Sequence, residues 1–275
     1  MHYPDTLVKD YFNNKIVWIT GASSGIGKAL AEACARRGAK IIISARREKL
    51  LDEIKTGLDD EEGAVEILPF DVTAEDEIPR KVAEAIKLYG RIDILVNNAG
   101  ISMRSLVKDL QFEVVKKMID TNFLAAVNLT LHVLPHMYKN GSGHIVVISS
   151  LMGKTGTPLR SAYCAAKHAL QGFYETLAIE GRRDGIEVTM VLPGWVRTEI
   201  SYQALRGDGA TYGELDDGLS RAKDPSSIVP RILRAISKKK FELYVAMAPI
   251  MWIGLALKRI WPAAVRRMLG KIKVT

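Results

Sequence analysis
The chain has 275 residues, 48% of them hydrophobic and 25% charged, with two cysteines. That balance excludes a disordered or solenoid chain, and Cys34 and Cys164 lie in helical patterns without ligand spacing to a histidine or to each other, which excludes a metal cluster built on them. Six of the eight net positive charges, Lys258, Arg259, Arg266, Arg267, Lys271 and Lys273, follow the last acid, Glu242, so the basicity belongs to the tail and leaves no footprint for nucleic acid.

Residues 1–14 carry Asp5 and Asp10 and no apolar h-region, so they do not read as a secretory signal, and two lone thiols suit a reducing, cytoplasmic setting. At this length one α/β domain is expected. Residues 1–242 read as a dinucleotide-binding and catalytic unit, and 243–275 as its last strand with a basic, apolar, helical C-terminal extension.

Residues 15–20 are a β-branched run that reads as a buried strand, and Gly21-Ala22-Ser23-Ser24-Gly25-Ile26-Gly27 leads from it straight into a helical pattern at 28–35. Strand, glycine turn and helix in that order make a phosphate cradle. Glycines let the backbone come close, the helix N-terminus offers unpaired N–H groups, and Ser23 and Ser24 add hydroxyls. The second strand, 39–45, ends at Arg46 and Arg47, where an NAD-binding unit would carry an acid for the ribose 2′-hydroxyl. Two arginines suit a 2′-phosphate instead, so the expected cofactor is NADP(H). The third strand, 65–70, runs into Asp71-Val72-Thr73, where Asp71 either accepts from an adenine amino group or caps the helix predicted at 77–89. A fourth strand, 92–96, closes on Asn97-Asn98-Ala99-Gly100, small enough for close approach to a ribose. Residues 112–134 read as one long helix stopped by Pro135, with Asn122, a poor interior residue, inside it.

A fifth strand at 144–149 brings the Ser150 hydroxyl out at the carboxyl edge, where open α/β sheets hold their sites. On the helix predicted over 161–181, Tyr163 and Lys167 stand four residues apart and share a face. A free phenol titrates near ~10, and an ammonium about 4 Å away at an effective dielectric of about 20 supplies the roughly 4 kcal/mol that would bring it near neutrality. Hydroxyl, phenol and ammonium at one point make a proton-transfer site. The sixth strand, 186–192, leads into Pro193-Gly194-Trp195-Val196-Arg197-Thr198, whose backbone suits a carboxamide. Residues 199–228, rich in Gly, Asp, Ser and Tyr, suit a mobile lid, and 241–245 read as the last strand.

Together, Thr20-Gly21-x-x-x-Gly25-x-Gly27, Asn97-Asn98-Ala99-Gly100, Asn122, Ser150, Tyr163-x-x-x-Lys167 and Pro193-Gly194-x-Val196-x-Thr198 make the chain resemble the short-chain dehydrogenase/reductase family over residues 15–200, most of all its NADP-preferring hydroxysteroid and retinoid type. The resemblance implies an α/β fold: a single doubly wound, Rossmann-type, mostly parallel seven-stranded sheet with helices on both faces. It implies a homodimer or homotetramer and a catalytic tetrad of Asn122, Ser150, Tyr163 and Lys167, with Asn122 holding a proton-relay water. The nicotinamide cofactor then lies on Gly21, Ser23, Ser24, Gly25, Ile26, Gly27, Arg46, Arg47, Asp71, Val72, Asn98, Ala99, Gly100, Tyr163, Lys167, Pro193, Gly194, Val196 and Thr198. The implied reaction is hydride transfer between nicotinamide and a carbonyl or secondary alcohol, with Tyr163 as general acid. An epimerase, a dehydratase or a nucleotide sensor on the same scaffold is the alternative.

Met103, Leu151, Met152, Trp195 and Tyr202 follow motif residues and are expected to line an apolar pocket for a steroid-like or lipid-like ketone. Residues 243–257 carry no charge, but fifteen residues with Pro249 inside are too short to span a bilayer. Residues 258–269 mix basic side chains, Trp261 and aliphatics, which suits either peripheral membrane contact or a helix packed on the body or on another subunit.

Overall fold
The computed structural model describes residues 5–58, 61, 63–214 and 222–270. Residues 215–221 of the expected lid, and Lys271 and Lys273, lie outside the described residues. Seven strands, β1 (Ile16–Thr20), β2 (Lys40–Ser44), β3 (Val65–Ile67), β4 (Ile94–Asn97), β5 (Gly143–Ile148), β6 (Ile186–Pro193) and β7 (Glu242–Val245), form one sheet in the order β3-β2-β1-β4-β5-β6-β7. Every pairing is parallel, not merely most of them, as in Ile16 against Lys40 and Val17 against Ile94. Parallel neighbours need long crossovers, and the helices that supply them cover both faces; hence β1, β4 and β5 are buried along their whole length.

Alternation along each strand divides the core. Val17 and Ile19 of β1 face a layer made by α1 (Asp5–Phe12), α2 (Gly25–Ala35), α3 (Glu48–Thr56) and α8 (Pro225–Ser237). Ile16 and Trp18 face α4 (Ile78–Tyr89), α6 (Ala125–Lys139) and α7 (Ser161–Glu180) on the other side. The order of strands reverses between β1 and β4, so the turns after these two strands part in opposite directions and open a crevice at their carboxyl ends.

Three elements differ from the sequence expectation. The helix expected over 112–134 is α5 (Phe112–Ile119), a π turn at Asp120–Leu124, and α6, which runs through Pro135 to Lys139. Proline removes the N–H that would reach the Leu131 carbonyl, but both residues lie on the exposed face, where an unpaired carbonyl costs little. Residues 5–12 form α1, anchored by buried Val8 and Phe12 and by Tyr11, whose hydroxyl meets His144 Nδ1 at 3.3 Å while His144 Nε2 meets Thr189 Oγ1 at 2.8 Å. The expected lid ends earlier than residue 228, because Asp224 caps Ser226 N–H at 2.9 Å and starts α8. Its first part is tied down: Leu205 accepts from Arg104 N–H at 2.7 Å and donates to Ser102 O at 2.9 Å, and the Arg104 guanidinium stacks on Tyr212, 5.1 Å from the ring centre. Beyond β7 the tail continues as α9 (Pro249–Ile260) and α10 (Pro262–Leu269).

Candidate active site
The crevice is a cleft of about 930 Å³. Thr20, the last residue of β1, holds its two walls together. Its hydroxyl donates to Val96 O (3.3 Å) and accepts from the N–H groups of Asn98 (3.1 Å) and Ala99 (3.2 Å), while Asn98 Nδ2 donates to Thr20 O and Gly21 O, both at 3.0 Å. The walls touch only because residues 21 and 27 lack a Cβ. One on Gly21 would stand 2.7 Å from Ala99 Cα, and one on Gly27 2.5 Å from Asn98 Nδ2. Gly21 and Gly25 also have φ of +63° and +58°, which side chains disfavour.

This is a cradle that fits a dinucleotide phosphate. Ser24 precedes α2 without a side-chain capping bond, so the first N–H groups of the helix are left for a ligand, and Gly21, Ser23, Ser24, Gly25 and Ile26 line the cleft beside them. At the end of β2, Arg47 binds Ser23 Oγ (3.0 Å), Ser24 Oγ (3.2 Å) and Glu199 (3.2 Å). Arg46 stands 3.7 Å from Asp71. Asp71 also accepts from Thr73 N–H (3.0 Å) and the Thr73 hydroxyl (2.8 Å), so it shapes its own turn while lining the cleft.

The chemistry gathers at the other end. Ser150 follows β5 with extended backbone, its Oγ accepting from Met152 N–H at 3.2 Å. The α7 helix brings Tyr163 and Lys167 on one face to the same cleft that Ser150 lines. Lys167 Nζ donates to Ile148 O at 3.0 Å and lies over the Tyr163 ring, 5.6 Å from its centre. Burial pushes the phenol above its ordinary value, against the opposing influence of the Ser150 hydroxyl and the Arg160 charge. The expected acidification by Lys167 is therefore not what the protein groups produce. Burial pushes the ammonium itself down to about 8, and it sits over the ring face while its hydrogen bond goes to Ile148 O. Asn122 is buried in the π turn, whose wider bore lets its side chain fold back. Its Nδ2 donates to Met118 O (3.0 Å) and its Oδ1 accepts from Ile101 N–H (3.1 Å), which holds the chain just beyond Gly100.

The profile of the short chain dehydrogenase family matches residues 15–208. The chain belongs to the short-chain dehydrogenase/reductase family. It is 39% identical over 236 residues, 84% of this chain and 72% of the relative, to Dehydrogenase/reductase SDR family protein 7-like of Drosophila melanogaster. It is 37% identical over 264 residues, 94% of this chain and 85% of the relative, to Dehydrogenase/reductase SDR family member 7B of Danio rerio. A crystal structure of a short-chain dehydrogenase from Streptomyces avermitilis superposes with a TM-score of 0.76 at 29% identity, covering 93% of this chain and 99% of that one.

Of the residues expected to build a short-chain dehydrogenase site, all but Gly27 and Asn122 line the one cleft, and those two stand directly behind its wall. Met103, Leu151, Met152, Trp195 and Tyr202 do not line this cleft; Met103 is fully buried beneath it, bridged to Leu205, while Tyr202 lines a smaller neighbouring one. Ile101, Ile200 and Leu205 take their place. Sequence reasoning also missed Arg160, a buried cation three residues before Tyr163 whose Nη1 donates to Ser102 Oγ, and Glu199, the acid that holds Arg47. An arginine one turn ahead of a candidate acid is a signal that spacing alone can offer.

Proposed function
We propose that this chain is an NADP(H)-dependent oxidoreductase that moves a hydride between nicotinamide and a carbonyl or secondary alcohol of an apolar, steroid-like or lipid-like substrate. The observation that carries the reading is that Ser150, Tyr163 and Lys167 line the same cleft as the glycine cradle, with the Lys167 ammonium over the Tyr163 ring. A bound nicotinamide cofactor supplies or accepts the hydride. Tyr163 gives its proton to the carbonyl oxygen as general acid, and a phenol raised by burial holds that proton at neutral pH. Ser150 hydrogen-bonds the same oxygen and fixes its direction toward the phenol. Lys167 holds the ring of Tyr163 and the cofactor ribose, and Asn122 acts through the Ile101 backbone it positions. The glycine turn, Asn98, Ala99, Gly100, Pro193, Gly194, Val196 and Thr198 hold the rest of the cofactor.

The preference for the 2′-phosphate rests on Arg46 and Arg47, both lining the cleft with no acid at the end of β2. The substrate's apolar character is supported by Ile101, Ile200 and Leu205. A homodimer or homotetramer belongs to the same reading, through the outer faces of α6 and α7, where Leu131, Tyr138 and Ile179 are exposed. Following NADPH and NADH absorbance with purified protein and a panel of apolar ketones tests it. Turnover with NADPH preferred is expected. Tight NADPH binding with no turnover across the panel would replace it with the sensor reading.

A further inference from the structure
One helix of this molecule is inside out. None of the twelve residues of α9 is buried, although the helix holds only two charges, and its exposed positions, 249, 250, 252, 253, 256, 259 and 260, recur at helical spacing along one face. Ile260 is 83% exposed, Trp261 61%, Ile253 59% and Trp252 48%. An amphipathic helix packed on a core shows the reverse pattern. After a break at Trp261 and Pro262, α10 buries Val265 and leaves Arg266, Arg267 and Met268 outside. The outward surface is thus aliphatic and indole groups flanked by Arg259, Arg266 and Arg267.

The inner edge of α9 is what fastens it to the body, and it does so beside the active site. Met251 Sδ lies against Gly194, so that a Cβ there would come within 3.1 Å of it, and Gly194 lines the cleft. Lys258 Nζ donates to the carbonyl of Lys154, the residue closing the turn after Ser150. Trp252 packs on Tyr244 of the edge strand β7, 4.9 Å between ring centres.

Charge decides what covers this face. No acid occurs after Glu242, so a second copy docked there would set three arginines against three others with nothing in the segment to neutralise them. An anionic lipid surface answers both halves of the pattern, taking the isoleucines and indoles into its interfacial layer and pairing the arginines with headgroups. Among the described residues no helix is long and apolar enough to cross a membrane, so the contact lies in the plane of the surface. We propose that α9 and α10 seat the protein on an anionic bilayer with the substrate end of the cleft beside the lipid, so that an apolar carbonyl substrate enters from the membrane. The second half of this proposal rests on the reading given under Proposed function; the first does not.

Flotation of the full chain with phosphatidylcholine vesicles, with and without phosphatidylserine, tests the seat in the absence of cofactor and substrate. Binding should need phosphatidylserine and weaken with salt. The variant Arg259→Gln/Arg266→Gln/Arg267→Gln should bind about a hundredfold more weakly. Ile253→Ser/Ile260→Ser/Trp261→Ser should lose roughly tenfold or more. All six positions are exposed, so both variants should keep the wild-type melting curve and the wild-type size in sedimentation velocity. Equal binding to neutral vesicles, binding indifferent to both variants, or a serine variant that changes oligomer size but not flotation would overturn the proposal, the last in favour of a second copy. For entry from the lipid, the serine variant should turn over a water-soluble ketone normally and a vesicle-borne ketone more slowly; equal loss on both would overturn it. Flotation without any ketone turnover would leave the seat standing and remove the enzymatic reading instead.

Discussion
The glycine cradle and the C-terminal helices solve opposite problems with opposite surfaces. At the cradle, backbone and side-chain polar groups are packed until no Cβ fits at Gly21 or Gly27, and hydrogen bonds join the ends of β1 and β4 and the turns that follow them: Thr20 with Val96, Asn98 with Gly21. At α9 the space is open, and apolar side chains face outward, with Trp252 against Tyr244 of β7 as a contact along one edge. The first surface is rigid because it is enclosed by the sheet, and it waits for a small polar ligand. The second is held along one edge and waits for something large and apolar. The contrast teaches that burial, not composition, separates the two: α2 and α9 are both apolar helices, but α2 buries Leu30, Ala31 and Cys34 while α9 buries nothing.

Substitutions should separate the two regions in a graded way. Gly27→Val places atoms where Asn98 Nδ2 and Gly21 O already stand, 2.5 Å from the first added carbon. Cofactor binding, read by tryptophan quenching, should disappear, and thermal unfolding should report a stability loss of about 1–3 kcal/mol from overpacking. Normal binding would mean that the walls of the cradle are not as close as described. Arg46→Ala should weaken NADPH about tenfold to a hundredfold and NADH little, because only one of them carries the 2′-phosphate; equal losses in titration calorimetry would remove that contact.

Lys167 gives a test on stability rather than binding. Its ammonium is held at about 8 in the fold against an ordinary 10.5, so the unfolded chain binds the proton more tightly, and burial costs stability below pH 8. The cost shrinks as pH rises from about 8 to 10.5 and is gone above. Lys167→Met, which also deprives Ile148 O of its donor, should therefore gain about 2 kcal/mol in denaturant unfolding at pH 7 and, once the burial cost is gone at high pH, lose about 1 kcal/mol. A loss at neutral pH would show that the ammonium stabilises the fold. The smallest effect belongs to α9. Gly254 has nothing within 4 Å of a Cβ, so Gly254→Ala should stabilise by about 0.5–1 kcal/mol and leave cofactor binding untouched.

The sheet was legible in the sequence because fully buried parallel strands are continuous β-branched runs, as at 41–43 and 145–148. The cleft was legible because glycines, arginines and the Tyr163–Lys167 pair follow strand ends, and strand ends meet at one edge. What escaped depends on contacts between distant segments. The helix α1 has only Val8 and Phe12 as buried anchors, too short a pattern to read, and it is fixed by Tyr11 meeting His144 from far along the chain. Pro135 reads as a stop until one knows that its side of α6 is exposed. Met103 and Trp195 neighbour motif residues in sequence, but adjacency does not give side-chain direction: one points down into the core, the other lies 43% exposed. Lys167 over the ring rather than at a bond to the hydroxyl is likewise a matter of rotamer and burial, which an i, i+4 spacing leaves open.

The central claim is that the phenol of Tyr163 carries the proton that accompanies the hydride. Single-turnover oxidation of NADPH by Tyr163→Phe, with NADPH affinity measured on the same sample, tests it most directly. The account predicts affinity close to wild type and a hydride-transfer rate lower by about a hundredfold to ten-thousandfold. A rate within a few-fold of wild type at unchanged affinity would contradict it and move the proton to another group.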